Sequence, residues 1–185
     1  MARVIFSMGM SVDGFIATPD GDISWSAPDP DLFRFHIELN RSVTGHLLGR
    51  RLYETMLVWE TDELSTGEDE EEWARIWRAI PKVVFSRTLD SVEGNARLAT
   101  DDVATEIARL RDEPGAEDVG IGGAELAAAA IAEDLIDEYH LFVNPVILGS
   151  GTRYFPPVAQ KHELRLTETR TFDSRIVFLR YERAR

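Results

Sequence analysis

The residues of this chain best suited to chemistry stand where two predicted strands run into glycines that open helices. The junctions are Leu48-Gly49-Arg50 and Ile121-Gly122-Gly123-Ala124. A helix amino terminus presents free backbone N–H groups, and glycine lets a phosphate approach that backbone closely. A glycine at a strand end is also a plain turn requirement, so one junction alone is a weak signal. Two in one sheet predict a place where the phosphates of a dinucleotide bind.

Two arginines and a serine follow the same kind of strand and add donors for such a ligand. Arg50 follows the strand that ends at Gly49, and Ser86 and Arg87 follow the strand that ends at Phe85. Arginine offers a two-pronged fork to phosphate oxygens, although a solvated surface arginine is the alternative explanation. The chain has no G-x-G-x-x-G motif, so a nicotinamide dinucleotide that binds here binds in a fold other than the Rossmann fold.

The sequence lacks the residues that thiol chemistry requires and the histidine spacing that metal binding requires. The chain has no cysteine, which excludes a thiol nucleophile, a thiolate zinc site and an iron–sulfur cluster. Redox chemistry would therefore have to come from a cofactor. The histidines share neither i,i+4 nor H-x-H spacing, so we expect no metal site. They are His36, His46, His140 and His162.

Composition and charge limit the class of ligand that the protein could bind and the cellular compartment in which we expect it. The 185 residues are 44% hydrophobic, which is typical of one folded domain over 1–185. The net charge of −13 repels polyanions, so we expect a small-molecule ligand and no nucleic acid, with a phosphorylated ligand needing a local basic pocket. No apolar run approaches about 18 residues. The amino terminus lacks the core of a signal peptide, so we expect no membrane association and a cytoplasmic protein.

The order of predicted elements indicates an α/β fold. Strands separated by helices early in the chain and by turns late predict a mixed sheet with helices on its faces. The segment 11–22 is predicted to be a loop, and the acidic segment 61–72 a surface excursion. Asp29 or Asp31 is expected to cap the first helix, and Thr100 or Asp101 the fourth. Predicted strands are 4–10, 42–49, 81–86, 96–99, 117–123, 136–143, 145–148 and 175–183; predicted helices are 28–42, 50–58, 72–79, 101–111 and 124–133.

A series of motifs in one order carries a family resemblance. It comprises Val12-Asp13-Gly14-Phe15-Ile16-Ala17, Trp25, Gly49-Arg50-Arg51-Leu52-Tyr53-Glu54, Phe85-Ser86-Arg87-Thr88-Leu89, Ile121-Gly122-Gly123 and the run from Leu135 to Gly151. Together these motifs resemble the dihydrofolate reductase-like superfamily, and within it the riboflavin-biosynthesis reductase domain of the RibD C-terminal type. The resemblance covers about residues 3 to 182. It implies one α/β domain, often dimeric, with a central, mixed but mostly parallel sheet that ends in antiparallel strands. Such a domain binds NADPH across the strand ends.

The resemblance assigns roles to individual residues. Gly49 and Arg50 look like the phosphate-binding turn, Ser86 and Arg87 like the site of the adenosine 2′-phosphate, and Gly122 and Gly123 like the pyrophosphate-binding pair. These assignments agree with the phosphate site that the junctions predict.

The same resemblance assigns the nicotinamide and substrate side. Gly9, Ile16, Ala17 and Gly21 stand where the family lines the nicotinamide, and Trp25 resembles the tryptophan at the mouth of the substrate pocket.

The sequence departs from the family pattern at two places, one in the predicted cofactor site and one at the acidic residue of the first helix. Leu52 occupies a position where the family usually has threonine, so one hydroxyl contact to the cofactor is missing. Dihydrofolate reductases carry an acidic residue at the start of the first helix, and both Asp29 and Asp31 match it in part. Either aspartate is equally explained as a helix cap. We take Asp31 as the candidate catalytic residue.

The leading hypothesis is an NADPH-dependent reductase that transfers hydride to a small heterocycle or carbonyl. Reduction of 5-amino-6-(5-phosphoribosylamino)uracil, as in riboflavin biosynthesis, ranks above dihydrofolate reduction among named activities. Arg51, Arg153 and Lys161 are candidates for a site that holds a substrate phosphate. A zinc deaminase activity of the kind that often accompanies this reductase is excluded, because it needs cysteine ligands.

A catalytically silent NADPH-binding dimer is the alternative from another class. Phe142, Val143, Val146 and Ile147 exceed what one sheet face requires, so we expect a homodimer through the C-terminal strands.

Overall fold

The computed structural model describes residues 2–159 and 161–184, and it is an α/β structure. In this part of the chain no helix has the length and apolar character needed to cross a membrane. The strands are β1 Val4–Ser11, β2 Phe15–Ala17, β3 Val43–Gly49, β4 Lys82–Phe85, β5 Ala96–Leu98, β6 Asp118–Gly122, β7 Glu138–Asn144, β8 Thr152–Arg153, β9 Leu164–Thr171 and β10 Val177–Arg183. The helices are α1 Pro30–Asn40, α2 Arg50–Met56, α3 Glu68–Ala79, α4 Val103–Asp112 and α5 Ala124–Ala132.

Eight strands form the central sheet in the order β5-β4-β3-β6-β1-β7-β10-β9. Neighbouring strands from β5 to β7 are parallel, and β10 is antiparallel to both β7 and β9. The predicted mostly parallel sheet, with a C-terminal part that returns through turns, is therefore confirmed. The short strands β2 and β8 pair with each other outside this sheet.

Helices cover both faces of the sheet, which explains why β1 carries apolar side chains on both of its faces. On one face Phe6 is fully buried in a cluster with residues of α4 and α5. The ring of Tyr154 lies 4.4 Å from that of Phe6, and its hydroxyl donates to the Phe6 carbonyl at 2.9 Å. On the other face α1 and α3 pack through Phe35 and Trp73. A fully buried phenylalanine stabilises a fold by about 2–3 kcal/mol, so this double layer holds the strand ends rigidly.

The strand prediction was wrong in the C-terminal third. Residues 145–148 form no strand, because Pro145 has no N–H and the next amide, of Val146, bonds back to the Asn144 carbonyl. Strand β9 was missed: it is an edge strand that is mostly exposed, so it has no apolar run. The segment 11–22, predicted to be a loop, contains β2.

Helix boundaries differ from prediction where acids stand near the amino terminus. α3 begins at Glu68 rather than at 72, because acidic side chains in a first turn are favoured by the helix dipole. The α1 cap is Asp29, which accepts from the Leu32 amide at 2.8 Å. The α4 cap is neither Thr100 nor Asp101: Asp102 accepts from the Thr105 amide, whereas Asp101 pairs with Arg109.

Two half-buried histidines, His36 and His46, make stability depend on pH. Burial and the nearby His140 lower the pKa of His36 to about 4, and burial and the charge of Lys82 lower the pKa of His46 to about 4. Below pH 6.5, the ordinary pKa of histidine, the unfolded chain binds protons at these positions that the folded chain does not. The free energy of unfolding therefore decreases as the pH is lowered from about 6.5 to 4. Each histidine contributes on the order of 3 kcal/mol to this loss.

Urea unfolding between pH 7 and pH 4 measures the effect. We expect the free energy of unfolding of His46→Gln to change less between pH 7 and pH 4 than that of the parent protein. A profile that stays level from pH 7 to pH 4 would contradict the assignment.

Candidate functional site

The strand connections divide at the carboxyl edge of the sheet, between β3 and β6. The chain leaves β3 through α2 toward β4 on one side, and leaves β6 through α5 toward β7 on the other. In open α/β sheets the crevice at such a switch point is where ligands bind. The two strand–glycine–helix junctions predicted from sequence meet at this point, since Leu48 pairs with Gly122 across β3 and β6.

The glycines of these junctions lie against each other, and a side chain on Gly123 would be crowded by the backbone of Gly49. A Cβ atom added to Gly123 would lie 3.3 Å from the backbone nitrogen and Cα of Gly49. Gly123 also has a φ of +100°, which L side chains rarely adopt. No side chain caps α2 or α5, in contrast to the aspartate caps of α1 and α4. The glycine pair therefore forms a bare backbone cradle, which suits a pyrophosphate group.

Leu52, the departure from the family pattern, packs onto the floor of the same cradle. Its Cδ2 atom lies 2.3 Å from the position that a Cβ on Gly122 would occupy. The leucine thus fills the space that the missing side chain of Gly122 leaves, and its methyl groups cannot donate a hydrogen bond to a ligand.

Donors for phosphate oxygens flank the cradle. Arg50 begins α2, but its guanidinium is shared with Glu54, at 3.1 and 3.2 Å from the two carboxylate oxygens. Gly49 pairs with Phe85 on β4, which brings Ser86 and Arg87 to the same edge. The Ser86 Oγ accepts from the amides of Thr88 and Leu89, which leaves its proton free to be donated.

Arg87 is exposed just beyond the end of β4. The hydrogen bonds and ion pairs found among residues 2–159 and 161–184 include none to its guanidinium. An exposed guanidinium next to a serine hydroxyl is a suitable pair of donors for a phosphate monoester.

On the other side of the switch point, β1 runs past the end of β6. β1 pairs with β6 only as far as Phe6, whereas it pairs with β7 as far as Ser11. Gly9 lies in this overhang, and a Cβ on it would be 3.6 Å from both the Ser26 Cβ and the Asn144 Nδ2. β6 does not extend along this part of β1, and it is here, beside the cradle, that the family resemblance assigns the nicotinamide.

The β2–β8 ribbon borders this overhang. Ile16 is buried in the main core cluster, and Ala17 pairs with Thr152. The Ala17 carbonyl fits against Gly151, where an added Cβ would lie only 2.0 Å from the oxygen. Gly21 lies further along, in an exposed turn with a φ of +89° and its amide bonded to the Thr18 carbonyl.

Asp13 ties the loop after β1 to the loop after β7. Its carboxylate accepts from the Ser11 hydroxyl at 2.6 Å and from the amides of Leu148 and Gly149 at 3.1 and 2.7 Å. These hydrogen bonds, that of Ser11 first, lower the pKa of Asp13 to about 2. The aspartate therefore fixes the shape of this end of the site as an anion.

The predicted substrate side lies beyond β1 and β7. Trp25 is half-buried in a short 3₁₀ turn, with its indole nitrogen donating to the Asp22 carbonyl at 3.1 Å. Asp29 uses both carboxylate oxygens structurally, one for the Leu32 amide and one for the Ser174 amide. Asp31 is in the first turn of α1 with its side chain 44% exposed and paired with Arg170. Asp31 is thus the freer of the two candidate acids.

Comparison with known proteins agrees with this geometry. The model of the RibD C-terminal domain family matches residues 2–178. The chain belongs to this family. Two Bacillus subtilis relatives are the uncharacterized protein YyaP, 32% identical over 97% of this chain and 94% of its own length, and the uncharacterized protein YwjB, 29% identical over 98% of each.

Solved structures of the RibD type share the fold. A putative riboflavin biosynthesis protein from Shewanella matches all of both chains with a TM-score of 0.79 and 24% identity. A Thermotoga maritima diaminohydroxyphosphoribosylaminopyrimidine deaminase/5-amino-6-(5-phosphoribosylamino)uracil reductase matches 99% of this chain and 57% of its own, with a TM-score of 0.70 and 17% identity. The RibD-type dihydrofolate reductase-like fold predicted from sequence is thereby confirmed.

Sequence reasoning missed three residues that shape the site: Asp13, Asn144 and Arg170. The Asp13-Gly14 pair signalled a turn, but the tie to the distant loop has no local signal. Asn144 ends β7 and donates to the Met10 carbonyl at 3.3 Å, next to Gly9. Arg170 lies on the missed edge strand β9.

Proposed function

We propose that this protein is an NADPH-dependent reductase of a small heterocyclic or carbonyl compound. The observation that carries the proposal is the bare glycine cradle of Gly49 and Gly123 at the switch point, flanked by Arg87, whose guanidinium has no partner among the described residues. Membership of the RibD C-terminal domain family supports it, because that family includes reductases.

The residues that would hold NADPH divide along the carboxyl edge. Gly49, Gly122 and Gly123 offer backbone amides and close approach to the pyrophosphate, with Arg50 beside them. Ser86 and Arg87 would bind the 2′-phosphate, which distinguishes NADPH from NADH.

The nicotinamide ring would lie against the β1 overhang. Gly9, Ile16, Ala17 and Gly21 belong to the elements that border it, and they would orient the ring and keep water away from it. The bound cofactor supplies the hydride; the protein supplies orientation and one acid–base group, Asp31. Trp25 would close the substrate pocket.

We propose 5-amino-6-(5-phosphoribosylamino)uracil as the first substrate to test and dihydrofolate as the second. Loss of NADPH absorbance with either compound tests the proposal, with NADH as the control cofactor. A panel of heterocyclic and carbonyl compounds follows if neither reacts. NADPH binding without oxidation over the panel would favour the alternative, a silent nucleotide-binding protein.

None of the three basic residues suggested for binding a substrate phosphate is already placed in a phosphate-binding site. Arg153 stacks on the Phe15 ring at 4.9 Å, and Lys161 pairs with Glu163. Arg51 is exposed on α2, and its guanidinium makes no hydrogen bond or ion pair among the described residues. A substrate phosphate would therefore require Arg153 or Arg51 to turn toward it.

We also propose that two copies associate through the C-terminal strands. Phe142, part of the original prediction, is buried in the core of its own chain, but Ile147 is 74% exposed. Leu166 on β9 and the nearby Phe155 and Val158 are also exposed apolar side chains. Light scattering is expected to give twice the chain mass of 20.9 kDa, and a monomer mass would contradict the association.

A further inference from the structure

Arg170 on β9 holds the candidate acid Asp31 with a single nitrogen. Its Nη2 atom lies 3.1 Å from Oδ1 and 3.0 Å from Oδ2 of Asp31. The two residues are 139 positions apart in the chain, so the contact depends on the tertiary fold. An ion pair between two partly exposed side chains is normally mobile, because both side chains gain rotamer freedom when they separate.

Here aromatic rings restrain the arginine. The guanidinium carbon lies 4.9 Å from the ring centroid of Phe35 and 4.7 Å from that of Phe172. Both rings belong to the buried cluster beneath α1, and they lie 5.4 Å apart. A planar guanidinium against two fixed rings loses most of its freedom, which a lysine ammonium in the same place would retain.

The position of this pair in the fold links it to the substrate side. β10 begins beside the end of β7, since Val177 pairs with Val143, so the β9–β10 turn lies at the carboxyl edge of the sheet. The turn is joined to α1 by the hydrogen bond from the Ser174 amide to Asp29. Because Asp29 already caps the helix, Asp31 is not needed for that purpose.

We propose that Arg170 is a positioning residue that holds the Asp31 carboxylate in place for the substrate. This inference rests on the proposed function for the role of Asp31, but the positioning itself is a property of the protein alone. The Asp31 side chain stays 44% exposed, so the carboxylate can still accept hydrogen bonds from a substrate while Arg170 fixes its direction.

Two measurements on Arg170→Met test the proposal. The first is a pair of crystal structures, parent and variant, in one crystal form; we expect a single Asp31 rotamer in the parent and a displaced or multiple one in the variant. The second is NADPH-dependent reduction of 5-amino-6-(5-phosphoribosylamino)uracil and of dihydrofolate. We expect kcat/KM for the compound that the parent protein reduces to fall about tenfold or more, with kcat lowered because the acid–base group is misplaced, and with the NADPH affinity unchanged.

Matched variants separate positioning from stability. Arg165→Met removes an ion pair with Glu182 from the other end of the same strand and should leave turnover unchanged. Arg170→Lys should restore part of the lost activity, because lysine keeps the charge without the planar fork.

An Asp31 side chain that keeps its place in Arg170→Met would overturn the proposal, as would unchanged turnover in that variant. If neither compound is reduced by the parent protein, the named activities fail, and the crystal structures still decide whether Arg170 positions Asp31.

Discussion

Gly151→Ala is expected to destabilise the protein by about 3 kcal/mol or more and to weaken NADPH binding. Gly151 has a φ of +135°, and a Cβ on it would lie 2.0 Å from the backbone oxygen of Ala17. A clash with a backbone atom cannot be relieved by a rotamer change, so the β2–β8 ribbon must move. That ribbon carries Ile16 and Ala17, which we assign to the nicotinamide side.

Gly149→Ala is the matched control for this prediction. Gly149 also has a positive φ, +76°, but nothing lies within 4 Å of the added Cβ. We expect only the backbone penalty of about 1 kcal/mol and no change in NADPH affinity. In thermal unfolding, we expect Gly151→Ala to lower the melting temperature by about 6–12 °C and Gly149→Ala to lower it by about 2–4 °C. Equal shifts in both variants would show that the contact with Ala17 does not restrain the ribbon.

Arg87→Ala is expected to abolish the preference for NADPH over NADH. If the guanidinium binds the 2′-phosphate, its loss removes a charge-assisted hydrogen bond of about 1.5–3 kcal/mol, which raises the Kd for NADPH about 10- to 100-fold. The Kd for NADH, which lacks that phosphate, should stay the same. Fluorescence titration with both nucleotides measures the two values.

Arg75→Ala is the control for a general effect of charge. Arg75 is exposed on α3 and its nearest carboxylate, that of Glu72, is 3.8 Å away. The Arg75→Ala substitution removes one positive charge, as Arg87→Ala does, but from the surface of α3 rather than from the switch point. A similar rise in the NADPH Kd in both variants would assign the effect to the overall field of the protein rather than to a site at Arg87.

The site positions that could be predicted from sequence are those with a local signature. The junctions at Gly49 and Gly123 are readable because each glycine stands between a β-prone run and a helical pattern, and two such junctions strengthen a signal that is weak in one. Ser86 and Arg87 are readable as the residues that directly follow a strand. Their meeting at one edge follows from the parallel order of the strands, which the alternation of strands and helices indicates.

Other features depend on contacts between distant segments and have no such signature. β9 is an edge strand made mostly of charged residues and threonines, so it lacks the apolar run that would predict a strand, and Arg170 was missed with it. Asp29 and Asp31 both suit a helix cap, and the amide of Ser174, far along the chain, is what occupies the second oxygen of Asp29. The role of Gly151 is visible only in its approach to Ala17.

The most direct test of the central claim is equilibrium titration of the parent protein with NADPH and with NADH, followed by energy transfer from tryptophan to the reduced nicotinamide. Trp25 lies on the predicted substrate side, so binding of the nicotinamide should quench its emission. We expect saturable binding of NADPH at least about tenfold tighter than that of NADH, from the contacts of one phosphate. Binding of neither nucleotide would contradict the assignment of the glycine cradle as a dinucleotide site.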